Sequence, residues 1–508
     1  MLSQKRWVPA VILLAAASVA VPSARAQYVQ QGGKLIGSGA VSNGSSASCD
    51  LGSYQGASAA LSSDGNTAVV GGDGDDSGNG AVWIFTRTGA AWSQQGGKLV
   101  GSGATNLQNF EGFSGSFGVC QGGSVAISND GNTVISGGSQ DNGSAGAAWV
   151  FTHSGGAWSQ QGPRLGVLDA PIPEVDLGSS VALSADGNTA LLGGFGDYNA
   201  DETVHSGAIW PFTRSLGTWS QQGDKLVASG LVNPQELLNQ GWAVALSGDG
   251  NTAIEAGWGD CLSMTSCPGA VGVFTRTNGQ WSQQGIKLGV ASTSTFGWSV
   301  SLSADGNTAL MGAYQDNGDT GAAFVFVRSG GTWTMQAKLV GSGYVGTPWQ
   351  GYSVSLSADG NMALVGGPYD NVGAGAAWVF KRSNGAWSQL GSKLVGSSAT
   401  GAALQGWSVA LSGDGNTILV GGPEDNNNVG ATWVFVPGAS SGAAPVGVSP
   451  ASGSASSQSM AFTFTDPRGT QDFDVVNVLI NNFLDGRNAC YLAYSRSAGV
   501  LYLVANDG

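Results

Sequence analysis

Large and small residues alternate in short runs along this chain, and turns rich in glycine separate the runs. The segment Gly351–Gly396, GYSVSLSADGNMALVGGPYDNVGAGAAWVFKRSNGAWSQLGSKLVG, shows the pattern once through. S-V-S-L-S alternates with period two and predicts a first strand, and A-D-G-N predicts a tight turn in which glycine takes a positive φ. M-A-L-V-G-G is a second strand. A-A-W-V-F is a third, with Trp378 and Phe380 on one face, and after an N-G turn W-S-Q-L-G-S-K-L-V is a fourth. The first strands carry no charge on either face: Val181 with Leu183, Val300 with Leu302 and Val409 with Leu411 on one side, Ala182, Ser301 and Ala410 on the other. A sheet with one face in water would place polar or charged residues there. Large residues against small ones suit sheets wedged between neighbours, as in the middle of a β-propeller.

The unit recurs. D-G-N stands at Asp64, Asp130, Asp186, Asp249, Asp305, Asp359 and Asp414, with steps of 66, 56, 63, 56, 54 and 55 residues, a period typical of propellers and solenoids. These units predict an all-β fold, a seven-bladed β-propeller of four-stranded blades over residues 27–437. A β-sandwich or a linear solenoid is the alternative, and a solenoid would want distinct capping repeats. The seventh unit has no fourth strand of its own, because after Trp433 and Phe435 the chain runs into V-P-G-A-S-S-G. A fourth strand without its other three stands at Tyr28–Gly39, YVQQGGKLIGSG, close to WSQQGGKLVGSG at Trp92–Gly103. Pairing it with the third strand of the last unit completes seven blades, and such closure removes open sheet edges.

Composition changes the picture mainly at the ends. Lys5 and Arg6, the mostly apolar run Val8–Val21 and the small-residue pattern Ala24-Arg25-Ala26 read as a secretory signal peptide over residues 1–26, which predicts export. That run is shorter than the about 20 apolar residues that span a bilayer, and no later segment qualifies. Past Pro437 come a Ser-, Gly- and Ala-rich linker, residues 438–444, and a region 445–508. Its V-G-V-S-P, A-F-T-F-T-D-P, V-V-N-V-L-I and V-L-Y-L-V read as strands of a truncated immunoglobulin-like β-sandwich, short of the roughly 100 residues that such a domain takes. A formal net charge of -14 argues against nucleic acid or anionic lipid as partner. Five cysteines are too few for a disulfide-stapled scaffold of this length. Cys261 and Cys267 bracket one loop and are expected to bridge in an oxidising compartment. Cys49 and Cys120 precede equivalent strands and form a second candidate pair, which leaves Cys490 over.

F-G-W-S-V at Phe296–Val300, with L-V-G-G-P and G-A-A-W-V-F between Leu364 and Phe380, resembles the FG-GAP repeat of integrin α-subunit propellers and of secreted bacterial proteins. Kelch repeats, which also carry a Gly-Gly pair before aromatic positions, are the neighbouring alternative. The resemblance implies a binding or adhesion role. Many FG-GAP repeats hold calcium in a D-x-D-x-D-G loop between the first and second strands. Here that connection is A-D-G-N or a variant with one carboxylate, which does not supply the six or more oxygens calcium takes. The seven D-G-N aspartates are therefore expected to be turn formers that bond local amides.

The up-and-down blade puts the D-G-N turns at one rim. The second-to-third loops and the links between blades, longer and more varied, lie at the other, where binding usually resides. On that rim an aspartate recurs three residues after the Gly-Gly position: Asp75, Asp141, Asp197, Asp260, Asp316, Asp370 and Asp425. They are either a ring of carboxylates open to a cation or basic ligand, or a turn copied with its repeat. The loop D-G-D-D-S-G-N-G gathers Asp73, Asp75, Asp76 and Asn79, enough oxygen for weak calcium binding. Catalytic signals are thin. His153 stands where other units carry arginine, His205 lies in a loop, and G-A-S-S-G at 438–442 lacks the strand-to-helix turn of a nucleophile elbow. Glu174, Asp176, Asp201, Glu202 and Glu236 occupy long loops from which a glycosidase pair would have to come. The expectation is a secreted or cell-surface, monomeric, non-catalytic scaffold that binds an extracellular protein or glycan through its loop-rich rim. A propeller enzyme acting on polysaccharide and a structural module of a larger surface protein are the alternatives.

Overall fold

A computed structural model describes residues 28–41, 52–105, 118–167, 174–198, 205–230, 238–260 and 268–438, and five strands beyond them. Seven antiparallel four-stranded sheets follow one another as blades. In blade one the strands are Ser58–Leu61, Thr67–Gly72, Ala81–Thr88 and Ala91–Gln94. Blade seven takes three strands from the end of the ring, Ser408–Leu411, Ile418–Gly422 and Ala431–Pro437, and its outermost from the beginning, Tyr28–Gln30. The Gln31 N–H donates to the Val434 carbonyl at 2.8 Å, and Leu35 and Thr432 exchange backbone bonds in both directions at 2.7 and 3.1 Å. The N-terminal strand thus closes the ring, as its sequence predicts.

The first strand of each blade packs against the first strands of its two neighbours, which makes it innermost. Two circuits of hydrogen bonds run around these strands. At the D-G-N rim the residue before each aspartate donates its N–H to the equivalent carbonyl of the next blade: Ser63 to Asn129, Asn129 to Ala185, then Gly248, Ala304, Ala358, Gly413 and back to Ser63, at 2.9–3.2 Å. At the other rim a serine at or before the start of the first strand donates to a glycine carbonyl of the next blade, as Ser58 does to Gly122 and Ser408 to Gly56, each at 2.7 Å. Blade four carries Ala243 there and skips the bond. The serines and small residues of these strands therefore have a stated use: they let blades approach closely and bond across the gap.

Between blades the core is apolar. Trp83, Trp149, Trp210, Trp378 and Trp433, on the third strands, are fully buried. Four of them lie flat against a glycine of the preceding blade's last segment. A Cβ on Gly37, Gly101, Gly341 or Gly396 would fall 2.1–2.2 Å from the indole, so the last residue of K-L-V-G or K-L-I-G has to be glycine there. Farther out a polar clasp joins neighbours. Arg276 lies over the Trp281 ring at 5.3 Å, and both donate to Gln222 Oε1 of the blade before, at 2.9 and 3.2 Å. Blade two uses His153 and Trp158 with Gln95 instead. At the seam between blades six and seven all three members change together, to Pro437, Tyr28 and Leu390.

The chain divides into two compact units, Val29–Val436 and one that includes Pro437–Gly508. Of the second, the described parts are a two-stranded sheet, Ala444–Ser449 with Ala461–Thr465, and a three-stranded antiparallel sheet, Val475–Ile480, Cys490–Ser495 and Val500–Val504. The expected signal peptide, the Cys261–Cys267 pair, Cys49, Asp201, Glu202 and Glu236 lie outside the described residues. Cys120 is disulfide-bonded.

Candidate functional site

The two rims differ in what they leave available. At the D-G-N rim every aspartate is spent locally. In each blade a serine hydroxyl donates to Asp Oδ1 at 2.5–2.6 Å, and the N–H of the Asn two residues on donates to the same oxygen at 2.9–3.0 Å. The Asn side chain takes Oδ2, as Asn66 does on Asp64 at 2.8 Å. Partial burial works to raise these carboxyls, yet the serine and asparagine bonds hold Asp64, Asp130, Asp186, Asp249, Asp305, Asp359 and Asp414 below the usual range. They are turn formers.

At the loop-rich rim the seven aspartates after Gly-Gly point inward. Asp75, Asp141, Asp197, Asp260, Asp316, Asp370 and Asp425 are buried, and each pairs with the basic residue of its own blade's last segment: Lys98, Arg164, Lys225, Lys287, Lys338, Lys393 and Lys34. The Lys287–Asp260 separation is 2.6 Å. In four blades the other oxygen accepts a link amide, from Val41, Thr105, Val345 or Thr400, at 2.7 Å. The residue after the aspartate takes the left-handed conformation in five blades, four of them with Asn: Asn142, Asn317, Asn371 and Asn426 have φ of 49–55°. Asn tolerates that region better than most residues. The recurring Asp-Asn pair therefore divides its work, the carboxylate fixing the last segment and the amide residue making the turn.

In the blade-one loop, Asp75 is held by Lys98, while Asp76 is exposed and Asn79 Nδ2 approaches its carboxylate at 3.4 Å. Asp73 faces a different concavity. Among the described residues no three His, Cys, Asp or Glu side chains are grouped to hold a metal ion.

That concavity, of about 250 Å³, lies at the mouth of the central channel beside blades one to three. Asp73, Ser139, Gln140 and Ser179 supply its polar groups, and Phe195 and Trp242 wall it toward blade four. Burial pushes the Asp73 carboxyl up to about 6. Gln140 also donates to Asp176 Oδ1 at 3.2 Å, and Asp176 is raised to about 6 by burial and by the charge of Glu174. From Trp242 a chain of half-exposed rings continues around the mouth. Trp242 meets Trp298 at 4.7 Å, Trp298 meets Tyr314 at 4.7 Å and Tyr352 at 5.6 Å, and Tyr352 meets Trp407 at 4.6 Å. Trp258, Trp349 and Tyr369 stand against them farther out. His153 belongs to the opposite rim's clasp, and His205 packs on Tyr198 with centroids 3.8 Å apart. Sequence reasoning passed over the ring of aromatics, although F-G-W-S-V and G-Y-S-V contain two of its members.

An FG-GAP repeat model matches residues 289–326, which run from the link before blade five to its third strand. The chain is a seven-bladed propeller carrying an FG-GAP repeat. No curated protein matches it. Among solved structures it is similar to a candidate 6-phosphogluconolactonase of Bacteroides uniformis, at 14% identity over 67% of this chain and 85% of that one, with a TM-score of 0.44. It is also similar to the hydrazine synthase of Kuenenia stuttgartiensis, at 13% identity over 79% of this chain and 99% of that one, with a TM-score of 0.46.

The place of the FG-GAP match has a structural reason. Just before the first strand, Phe-Gly occurs in blade five alone, as Phe296-Gly297. Five other blades carry Gln-Gly there, with Gln55, Gln121, Gln240, Gln350 and Gln405 buried. Each of these amides accepts a backbone N–H from the preceding blade's last segment, as Gln350 Oε1 does from Gly341 at 2.5 Å while its Nε2 donates to the Gly341 carbonyl at 2.9 Å. Blades three and five replace the amide by Leu177 and Phe296, and there the segment before them reads Gly-Val instead of Val-Gly, Ile-Gly or Val-Ala. An apolar contact with Val167 or Val290 takes the place of the bonds. Among the described residues no helix is long and apolar enough to cross a membrane.

Proposed function

We propose that this propeller is an exported, non-catalytic binding module that engages an extracellular protein or glycan through its loop-rich rim. The observation that carries the reading is the contrast between rims. One rim is seven copies of a turn whose polar groups are satisfied internally, whereas the other presents a polar concavity and half-exposed aromatics at the channel mouth. Aromatic groups beside a few convergent polar ones are the usual make-up of a binding site. A glycan array and a panel of immobilised extracellular-matrix proteins, each run with and without calcium chelator, test it. Saturable binding without product release is expected. Binding that disappears with chelator would show a metal requirement, and turnover of a bound polysaccharide would overturn the non-catalytic reading.

One observation favours a second reading, a propeller enzyme acting on polysaccharide. Asp73 and Asp176, both raised to about 6, lie on or next to the same concavity through Gln140, and a general acid needs a carboxyl raised in this way. Under that reading the Asp73→Asn variant loses all turnover while still binding the polymer.

A further inference from the structure

The channel mouth combines two chemistries in one circle. On blades four to seven the residue after the glycine of Gln-Gly or Phe-Gly, at the entry to each innermost strand, is aromatic: Trp242, Trp298, Tyr352 and Trp407. The Trp242 indole N–H donates to the Trp298 carbonyl at 3.1 Å, which fixes the first ring against the next blade. On blades one to three the same position is Ala57, Gly123 and Ser179. The ring volume missing there is where the polar cavity opens, with Asp73, Gln140 and Ser179 in its lining and Trp242 at its edge.

A pyranose ring is itself two-faced, with C–H groups on its faces and hydroxyls at its edge. Aromatic rings take the first and carboxyl, amide and hydroxyl groups the second. We propose that the mouth of the central channel binds a neutral glycan chain, its pyranose faces on Trp298, Tyr352 and Trp407 and its hydroxyls toward Asp73, Gln140 and Ser179. The proposal rests on the binding-module reading and names its ligand. Charge disfavours an anionic ligand, because acidic groups stand beside this mouth: Asp73 lines the cavity, and Asp319 and Glu424 lie close enough to act on Tyr314 and Tyr369. A folded partner resting on the aromatics would leave the narrow polar cavity unfilled, whereas the end of a glycan chain fills both.

The test is calorimetric titration of the whole chain with neutral hexasaccharides of glucose, mannose, xylose and N-acetylglucosamine. The wild type is expected to bind at least one of them. Trp298→Ala and Trp407→Ala are expected to weaken that binding about tenfold each, which is about 1.4 kcal/mol. Trp407→Phe should restore most of it, and Asp73→Asn should change the preference among sugars. Thermal melting of each variant reports the fold, so an aromatic plug with a purely structural role would show as a lowered melting temperature in Trp407→Ala with sugar binding unchanged in the variant that remains folded. No binding of any hexasaccharide, or binding unchanged in the alanine variants, overturns the proposal. A cationic peptide or a matrix protein binding where all the sugars fail would also overturn it and leave the broader binding-module reading intact.

Discussion

Glu255 shows how a single residue departs from a repeat. Its cross-strand partner is Gly272, at the position where other blades pair a second-strand residue with a buried Trp or Phe: Val70 with Trp83, Met311 with Phe324, Val365 with Trp378. With the indole absent, the carboxyl occupies its space, and a Cβ on Gly272 would fall 2.4 Å from Glu255 Oε1. The residue is 1% exposed, and Oε2 accepts the Gly241 N–H at 3.3 Å. Burial, then the charge of Asp260, pushes its carboxyl up to about 8 against the pull of Lys287. A carboxyl raised above its unfolded value contributes stability that is complete below the unfolded value of 4.5 and is lost as pH rises through about 8. Thermal melting should therefore show Glu255→Gln gaining on the wild type between about pH 5 and about pH 9, because the amide has no proton to lose. Equal pH profiles would show that the carboxyl titrates normally. Glu255 is not legible in the sequence, because no word repeats it. The aspartates after Gly-Gly were visible for the opposite reason, but repetition copies every residue alike and so does not say which pair meets. The lysine of each K-L is as regular as its aspartate, and only the fold brings Asp370 to Lys393.

At the scale of the blade, a buried amide is the joint that repeats. Gln350 is fully buried and makes two bonds to Gly341 of the preceding blade. Gln350→Leu should cost about 1–3 kcal/mol in chemical denaturation, since both Gly341 groups would stay buried without partners. That Leu177 serves blade three does not rescue the change, because there the preceding segment is shifted to Gly-Val and offers Val167 in place of an open backbone. A loss below about 0.5 kcal/mol would mean that water replaces the amide. Strand order and the D-G-N turns were legible because period two and turn chemistry act on neighbouring residues. The clasp of Arg276, Trp281 and Gln222 was not, because its members come from different blades and meet only once the sheets are stacked. The channel-mouth aromatics escaped for a related reason. In each unit the position holds a single ordinary residue, and only a ring of units places Trp298, Tyr352 and Trp407 side by side.

Closure of the whole ring rests on two kinds of contact. The backbone circuit through Ser63 and Gly413 and the Ser408-to-Gly56 bond join blades one and seven at the channel without the N-terminal strand. That strand adds the outer edge of blade seven. It buries Tyr28 and Leu35 against the sheet that holds Trp433, and Lys34 pairs with Asp425. Deleting Tyr28–Leu35 would leave Asp425 buried and without its ammonium, a change that costs about 3–5 kcal/mol in comparable buried pairs, and would open a strand edge prone to pairing with other chains. The losses at blade seven are large against the about 5–15 kcal/mol by which domains are stable. The deletion should therefore lower the melting temperature and promote association on heating, while removal of Pro445–Gly508 should leave the transition of the propeller in place, because those residues belong to the other compact unit. If the first deletion melted like the intact chain, the inner circuit alone would hold the ring, and the N-terminal strand would be a cover on blade seven instead of its closure.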